Sequence, residues 1–148
     1  MLWAEPMLIE RFEYPPSQTL PDFSEDHVFS YCKFEGLKDS EARQIEATFL
    51  YCSFRECHFY WALSNTALFF QCKFENILFQ GASFADCRFI DCSFVACKFL
   101  ESNMGGPCTF EDTKWYGCTQ SDCTGSEETL VIQGVHSCLA GFSMFLLC

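Results

Sequence analysis

The sequence predicts a solenoid, a chain wound into short and similar turns, and three observations carry that prediction. Phenylalanine stands at positions 29, 34, 49, 54, 59, 69, 74, 79, 84, 89, 94 and 99, so twelve of the 18 phenylalanines share one remainder on division by five. Two residues before positions of this phase stand Cys32, Ala47, Cys52, Cys57, Ala62, Ala67, Cys72, Ala82, Cys87, Cys92 and Cys97, so the slot is small almost without exception. A second period of 20 overlies the first: residues 30–34 read SYCKF, 50–54 LYCSF, 70–74 FQCKF and 90–94 IDCSF. Neither an α-helix nor an ordinary strand repeats every five residues, and self-similarity at a short fixed period marks a repeat architecture.

The totals narrow the class further. A chain of 148 residues with 49% hydrophobic content suits one domain with an ample core. The formal charge of −11 with only 9 Lys and Arg argues against a general nucleic-acid binder, because phosphate contacts need cations. The opening MLWAEPMLIERFEYPP has early acids and no apolar core of a secretory leader, so the 12 cysteines are expected as thiols in a reducing, cytoplasmic compartment. The late apolar stretch Ser137 to Cys148 is well short of the roughly 20 residues a spanning helix needs, and no membrane span is expected.

Small residue, polar residue, central Phe and two variable positions make up a pattern that resembles the pentapeptide-repeat family, over about Val28 to Cys123. The resemblance implies an all-β fold: a right-handed quadrilateral parallel β-helix in which four pentapeptides make one coil. Centre and small residue would point inward and the other three positions outward. It would have about five coils, in a rod about 24 Å long at the spacing of parallel strands, with short capping segments at both ends.

On that scheme the centres fall in four columns. The first reads Phe29, Phe49, Phe69, Phe89, Phe110 and the second Phe34, Phe54, Phe74, Phe94, Trp115, and these ten are the expected structural core. The third reads Asp39, Phe59, Phe79, Phe99, Gln120 and the fourth Gln44, Ser64, Phe84, Met104, Gly125, so the fourth wall should be the looser. Between Leu37 and Glu46 the centres fail while Leu37 and Ala42 keep the inward small slot, which reads as two degenerate repeats. At Gly105-Gly106-Pro107 the pattern slips by one residue, an expected bulge or corner loop. Ten of the 12 cysteines occupy the small slot, where a thiol is a compact hydrophobe.

Open coil ends would expose strand edges and rings, so residues 1–26 are read as an N-terminal arm or cap, 27–125 as the helix, and 126–148 as a C-terminal cap or dimerisation segment. The arm carries Trp3, Leu8, Ile9, Phe12 and Tyr14; the tail, read as a strand and a short helix, carries Leu139, Phe142, Phe145 and Leu146, too apolar to leave exposed.

No reactive constellation appears. Cys52 and Cys57, or Cys87, Cys92 and Cys97, are five apart where zinc ligands pair two to four apart, and His27, His58 and His136 lie in no nucleophile or metalloprotease motif. Neither catalysis, a metal nor a cofactor is expected. Binding must then use outward positions: Tyr31, Leu50, Tyr51, Leu68, Phe70 and Ile90 make an apolar stripe along the first face, and Tyr60 with Trp61 an aromatic corner on the third. The stripe has three readings: cover by the chain's own arm or tail, a homodimer contact, or a site for another protein.

The expected function is a noncatalytic interaction scaffold binding an unidentified protein. The alternative, implied by the family resemblance, is a DNA-mimicking modulator of a type II topoisomerase, of the gyrase-protecting, quinolone-resistance kind. Against it, the charge is uneven: residues 1–26 carry a net −5, residues 27–123 only −4 and the tail −2. The only candidate for a projecting loop is the segment Leu37 to Glu46.

Overall fold

A computed structural model describes residues 6–16, 22–39, 43–125 and 135–137. Four parallel sheets form the walls of a square helix, and the described residues contain no α-helix. The first wall stacks Met7–Glu10, His27–Ser30, Thr48–Leu50, Leu68–Phe70, Arg88–Ile90 and Lys114–Tyr116. The second stacks Glu13–Tyr14, Lys33–Glu35, Ser53–Arg55, Lys73–Glu75, Ser93–Val95, Cys118–Ser121 and Val135–Ser137. The third runs Lys38–Asp39, His58–Tyr60, Leu78–Gln80, Lys98–Leu100 and Thr124–Gly125; the fourth runs Gln44–Ile45, Leu63–Asn65, Ser83–Ala85 and Thr109–Glu111.

The five-residue period follows from this geometry. A strand of three residues alternates out, in and out, and two further residues turn the corner. The residue after most strands takes a left-handed conformation, as at Tyr31, Tyr51, Trp61, Gln71 and Asp91 (φ 48 to 56°). That conformation costs a side chain about 1 kcal/mol, which is offset because each corner N–H donates to the next coil: Tyr31 to Leu50 O at 2.9 Å, Tyr51 to Phe70 O at 2.8 Å and Asp91 to Tyr116 O at 2.7 Å. Gly81 shows what the corner also demands sterically, since an added Cβ would lie 2.7 Å from Cδ1 of Trp61.

Inside, the rings stack as columns. Phe29, Phe49, Phe69 and Phe89 follow one another at centroid separations of 5.2, 5.0 and 4.7 Å. Tyr14, Phe34, Phe54, Phe74 and Phe94 do so at 5.0, 4.8, 5.0 and 4.7 Å. Phenylalanines of adjacent walls meet edge to face, as Phe49 and Phe54 do at 5.4 Å. Each buried ring contributes roughly 1.5–3 kcal/mol relative to exposure, and stacked or edge-to-face pairs add to this. The cysteines fill the inner corners, and their thiols donate across coils: Cys52 Sγ to Phe29 O at 3.3 Å, Cys72 to Phe49 O at 3.4 Å, Cys92 to Phe69 O at 3.2 Å and Cys118 to Phe89 O at 3.2 Å.

Four features differ from the sequence reading. First, register after the slip is displaced by one wall: Trp115 lies on Phe89 in the first column, Gln120 on Phe94 in the second, Gly125 on Phe99 in the third and Phe110 on Phe84 in the fourth. The cause is a loop of six extra residues, so that 26 residues rather than 20 separate Phe84 from Phe110. Met104 is therefore not a centre but lies in that loop, 79% exposed. Second, the fourth-wall centre in the first full coil is Ile45, paired with Ser64, because Gln44 pairs with Leu63. Ala42 lies outside the described residues.

Third, the described part of the arm continues the helix, as strands of its first and second walls. Ile9 pairs with Phe29 and Tyr14 with Phe34, in the phase of the later centres. Phe23, bridged to Ile45, plugs the open end with edge-to-face contacts to Phe29, Phe34 and Phe49 at 5.3, 5.6 and 5.4 Å. Fourth, among the described residues four coils are complete, those that begin at Phe29, Phe49, Phe69 and Phe89, because the extra loop takes six residues from the stretch up to Gly125.

Candidate interaction surface

The first wall presents two outward columns. Before the centres stand Leu8, Val28, Thr48, Leu68, Arg88 and Lys114; after them stand Glu10, Ser30, Leu50, Phe70, Ile90 and Tyr116. Val28, Leu50, Leu68, Phe70 and Ile90 are half-buried by their neighbours, while Leu8 is 60% and Tyr116 53% exposed. Along the next corner Arg11 lies over the Tyr31 ring at 4.7 Å, Tyr31 stacks on Tyr51 at 4.8 Å, and Tyr51 meets the Phe70 edge at 5.5 Å. No described residue of the arm crosses this face, because Met7–Glu10 is spent as its first strand.

The structure thus brings Tyr31, Leu50, Tyr51, Leu68, Phe70 and Ile90 together on one wall and its corner. Leu8 and Tyr116 extend the stripe beyond the residues that the sequence singles out. Leu8 stands 20 residues before Val28, a signal in plain view, whereas Tyr116 is concealed by the displaced register. Leu139, Phe142, Phe145 and Leu146 lie outside the described residues.

Charge on this wall is segregated. Glu10 is exposed at the N-terminal end, Arg88 and Lys114 at the other, and none of the three forms an ion pair among the described residues. The second wall instead pairs its charges along the rod, Lys33 with Glu13 at 3.6 Å and Arg55 with Glu35 at 3.9 Å, both exposed and of little energetic consequence.

Tyr60 and Trp61 lie apart, on the third wall. Their rings stack at 5.2 Å, and the Tyr60 hydroxyl donates to Oδ1 of Asn103 in the inserted loop. That loop is held by Ser102, whose Oγ accepts from the N–H groups of Gly106 at 3.0 Å and Met104 at 3.3 Å. The loop that leaves the coil among the described residues is thus at 101–107, while residues 40–42 of the segment Leu37 to Glu46 lie outside the described residues. Below it a cleft of about 420 Å³ is lined by Phe99, Leu100, Glu101, Pro107 and Cys108, with Thr124 and Gly125.

Chemistry is sparse elsewhere. His58 is half-buried with Nε2 3.1 Å from Oε1 of Gln80, and His27 shares a hydrogen bond of 2.6 Å with Ser24 Oγ. Burial pushes the thiols of Cys72, Cys87 and Cys108 up, which keeps them protonated. Cys123, half-buried at the last corner, is lowered to about 7 by its hydrogen bond with Cys97. Among the described residues no three His, Cys, Asp or Glu side chains gather as a metal-binding group, and no helix is long and apolar enough to cross a membrane.

No protein-family model and no curated protein sequence matches the chain. Among solved structures it is similar to a trypsin-treated variant of QnrB1, described as a plasmid-mediated fluoroquinolone resistance protein, at 16% identity and a TM-score of 0.46 over 90% of this chain and 85% of that one. The assignment of a quadrilateral parallel β-helix rests on the strand pairing of this chain itself.

Proposed function

We propose that this chain is a pentapeptide-repeat protein acting as a noncatalytic interaction scaffold, with the first wall as its binding surface. The observation that carries this reading is the unbroken apolar and aromatic stripe from Leu8 through Leu50, Leu68 and Phe70 to Tyr116, on a rigid sheet whose interior is already filled. A continuous apolar patch rimmed by polar residues fits a protein contact, and aromatic anchors fit its centre. No disulfide links the ten described cysteines, an arrangement that fits a reducing cytoplasm.

Affinity capture with the wild type and with Phe70→Asp tests the surface. Phe70 points outward, so the variant should keep its fold and lose the partner; a partner retained at wild-type level would move the site off this wall.

One observation favours the second reading, a DNA-mimicking modulator of a type II topoisomerase. Asp26, Glu46, Asp86 and Asp112 occupy the corner that precedes the first wall, a column of acids along the rod interrupted by Thr66. Inhibition of gyrase supercoiling by the wild type, relieved by Asp86→Asn with Asp112→Asn, would support that reading; no inhibition by the wild type would dismiss it.

A further inference from the structure

We propose that the occupant of the first wall is a second copy of this chain, laid antiparallel across it about a twofold axis that runs along the strand direction. The inference rests on the reading of that wall as a binding surface and names its partner.

The wall has six outward rows: Leu8 with Glu10, Val28 with Ser30, Thr48 with Leu50, Leu68 with Phe70, Arg88 with Ile90, and Lys114 with Tyr116. A twofold axis between the third and fourth rows sets Leu50 on Phe70 of the second copy and Thr48 on its Leu68. The most apolar rows thereby occupy the centre, where water is excluded best. The outer rows then meet with opposite charge. Lys114 lands in the row of Glu10 of the second copy, and Arg88 lands in the row of Val28, beside Asp26 at the preceding corner.

The following corner is complementary in the same way. Its residues run Arg11, Tyr31, Tyr51, Gln71, Asp91 and Gly117, and the same axis sets Tyr31 against Asp91 and Tyr51 against Gln71 of the second copy. Each phenol thus meets an acceptor. The opposite choice, two copies running parallel, sets every row on itself. It would place Arg88 beside Arg88 and Lys114 beside Lys114, so the segregated charges select the antiparallel arrangement.

Size sets the strength. Five steps of about 4.8 Å make the patch about 24 Å long. With one corner column included, the contact buries roughly 1,000 Å² in total, the lower limit for a specific interface. The dimer is therefore weak and reversible, and its charged rim makes it weaken with salt.

Sedimentation velocity of the full chain under reductant, over a range of concentrations, tests this. The wild type should dimerise reversibly, and Phe70→Asp should raise its dissociation constant at least about tenfold. Glu10→Lys and Lys114→Glu should each weaken self-association, since each alone sets like charges together twice. An equimolar mixture of the two should dimerise again, because each introduced charge then meets the opposite one while the native pair is kept. This rescue excludes misfolding as the cause of either loss. A wild type that stays monomeric, a mixture that fails while the wild type dimerises, or a dimer indifferent to Phe70→Asp overturns the inference. If a monomeric wild type still captures another protein in a Phe70-dependent way, the binding surface stands and only the second copy is lost. Indifference of both mass and capture to Phe70→Asp removes both.

Discussion

Phe89 and Trp115 stack with their ring centroids 4.3 Å apart and their planes 8° from parallel, although 26 residues separate them where 20 separate Phe69 from Phe89. The difference is the loop 101–107, which interrupts the chain between the third and fourth walls and returns it without disturbing the ladder. Loop closure depends only weakly on length, so the loop carries little stability. Replacing residues 101–107 by a single glycine, as Gly81 stands one coil earlier, should therefore restore a 20-residue coil with a midpoint of thermal unfolding within a few degrees of wild type. Circular dichroism melting checks this. Loss of the folded signal would mean that the register after Met104 is not the one described.

The same relationship shows what can be read in advance. Division by five cannot distinguish one extra residue from six, so the phase of Phe110 and Trp115 is legible while their wall is not. The ring columns are legible because Phe recurs at every turn from Phe49 to Phe99 except at Ser64. The N-terminal coil is hidden because Ile9 and Tyr14 keep the phase without being Phe, and the segment between them and Phe29 breaks it. Ile45 takes the place of Gln44 since burying an isoleucine among rings is favourable and burying an amide without partners is not. The stripe is legible on its middle rows, where the period of 20 is intact. The corner conformations are legible only in part: Asp86, Asp91 and Gly81 suit a left-handed residue, whereas Tyr31, Tyr51 and Trp61 give no such hint and are held there by the ladder.

Ser64 stands where a fourth-column ring would, between Ile45 and Phe84, with its Oγ buried and without a hydrogen-bond partner. Phe59, Phe69 and Phe84 close around it and leave a void of only about 10 Å³. Ser64→Ala should stabilise the protein by about 1 kcal/mol, since it removes an unsatisfied hydroxyl and opens almost no space. Ser64→Phe should destabilise it by about 1–3 kcal/mol through overpacking. Chemical denaturation of both variants measures this, and a more stable phenylalanine variant would show that the neighbouring rings yield.

Phe74, on the second wall, and Phe70, on the first, differ by four positions and by whether they face into or out of the helix. Phe74 is buried between Phe54 and Phe94 at 5.0 and 4.7 Å, while Phe70 faces outward. Phe74→Ala should cost about 3–5 kcal/mol because it empties the middle of a column. Phe70→Asp should cost below about 1 kcal/mol in a monomer. Equal losses from equilibrium unfolding would contradict the alternation of inward and outward residues on which the surface argument depends.

Among the ten described thiols Cys123 alone is not buried, and it is lowered to about 7. Reactivity follows the thiolate fraction and access together. Brief alkylation of the native protein at neutral pH, mapped by mass spectrometry, should label Cys123 ahead of Cys52, Cys72, Cys87 and Cys92, which should react only on unfolding. Early labelling of Cys72 would show that the ladder opens locally.

Three of the buried thiols give the fold an alkaline limit. Burial raises Cys72, Cys87 and Cys108 above the ordinary thiol range, so the folded chain keeps protons that the unfolded chain releases above about pH 8.5. Their contribution is therefore fully present below that pH and is lost as pH rises towards the folded values, at about 1.4 kcal/mol per pH unit for each thiol involved. Unfolding free energies measured in reductant should be level from pH 7 to 8 and fall steeply from about 9 upwards. Replacing Cys72 and Cys87 by alanine, the residue found in the same slot at Ala62 and Ala82, should lower the stability at pH 7 only modestly and flatten the alkaline slope by two thiols' worth. An unchanged slope would mean that these thiols ionise as readily in the folded chain as in the unfolded one, and that the inner corners are wetter than their packing implies.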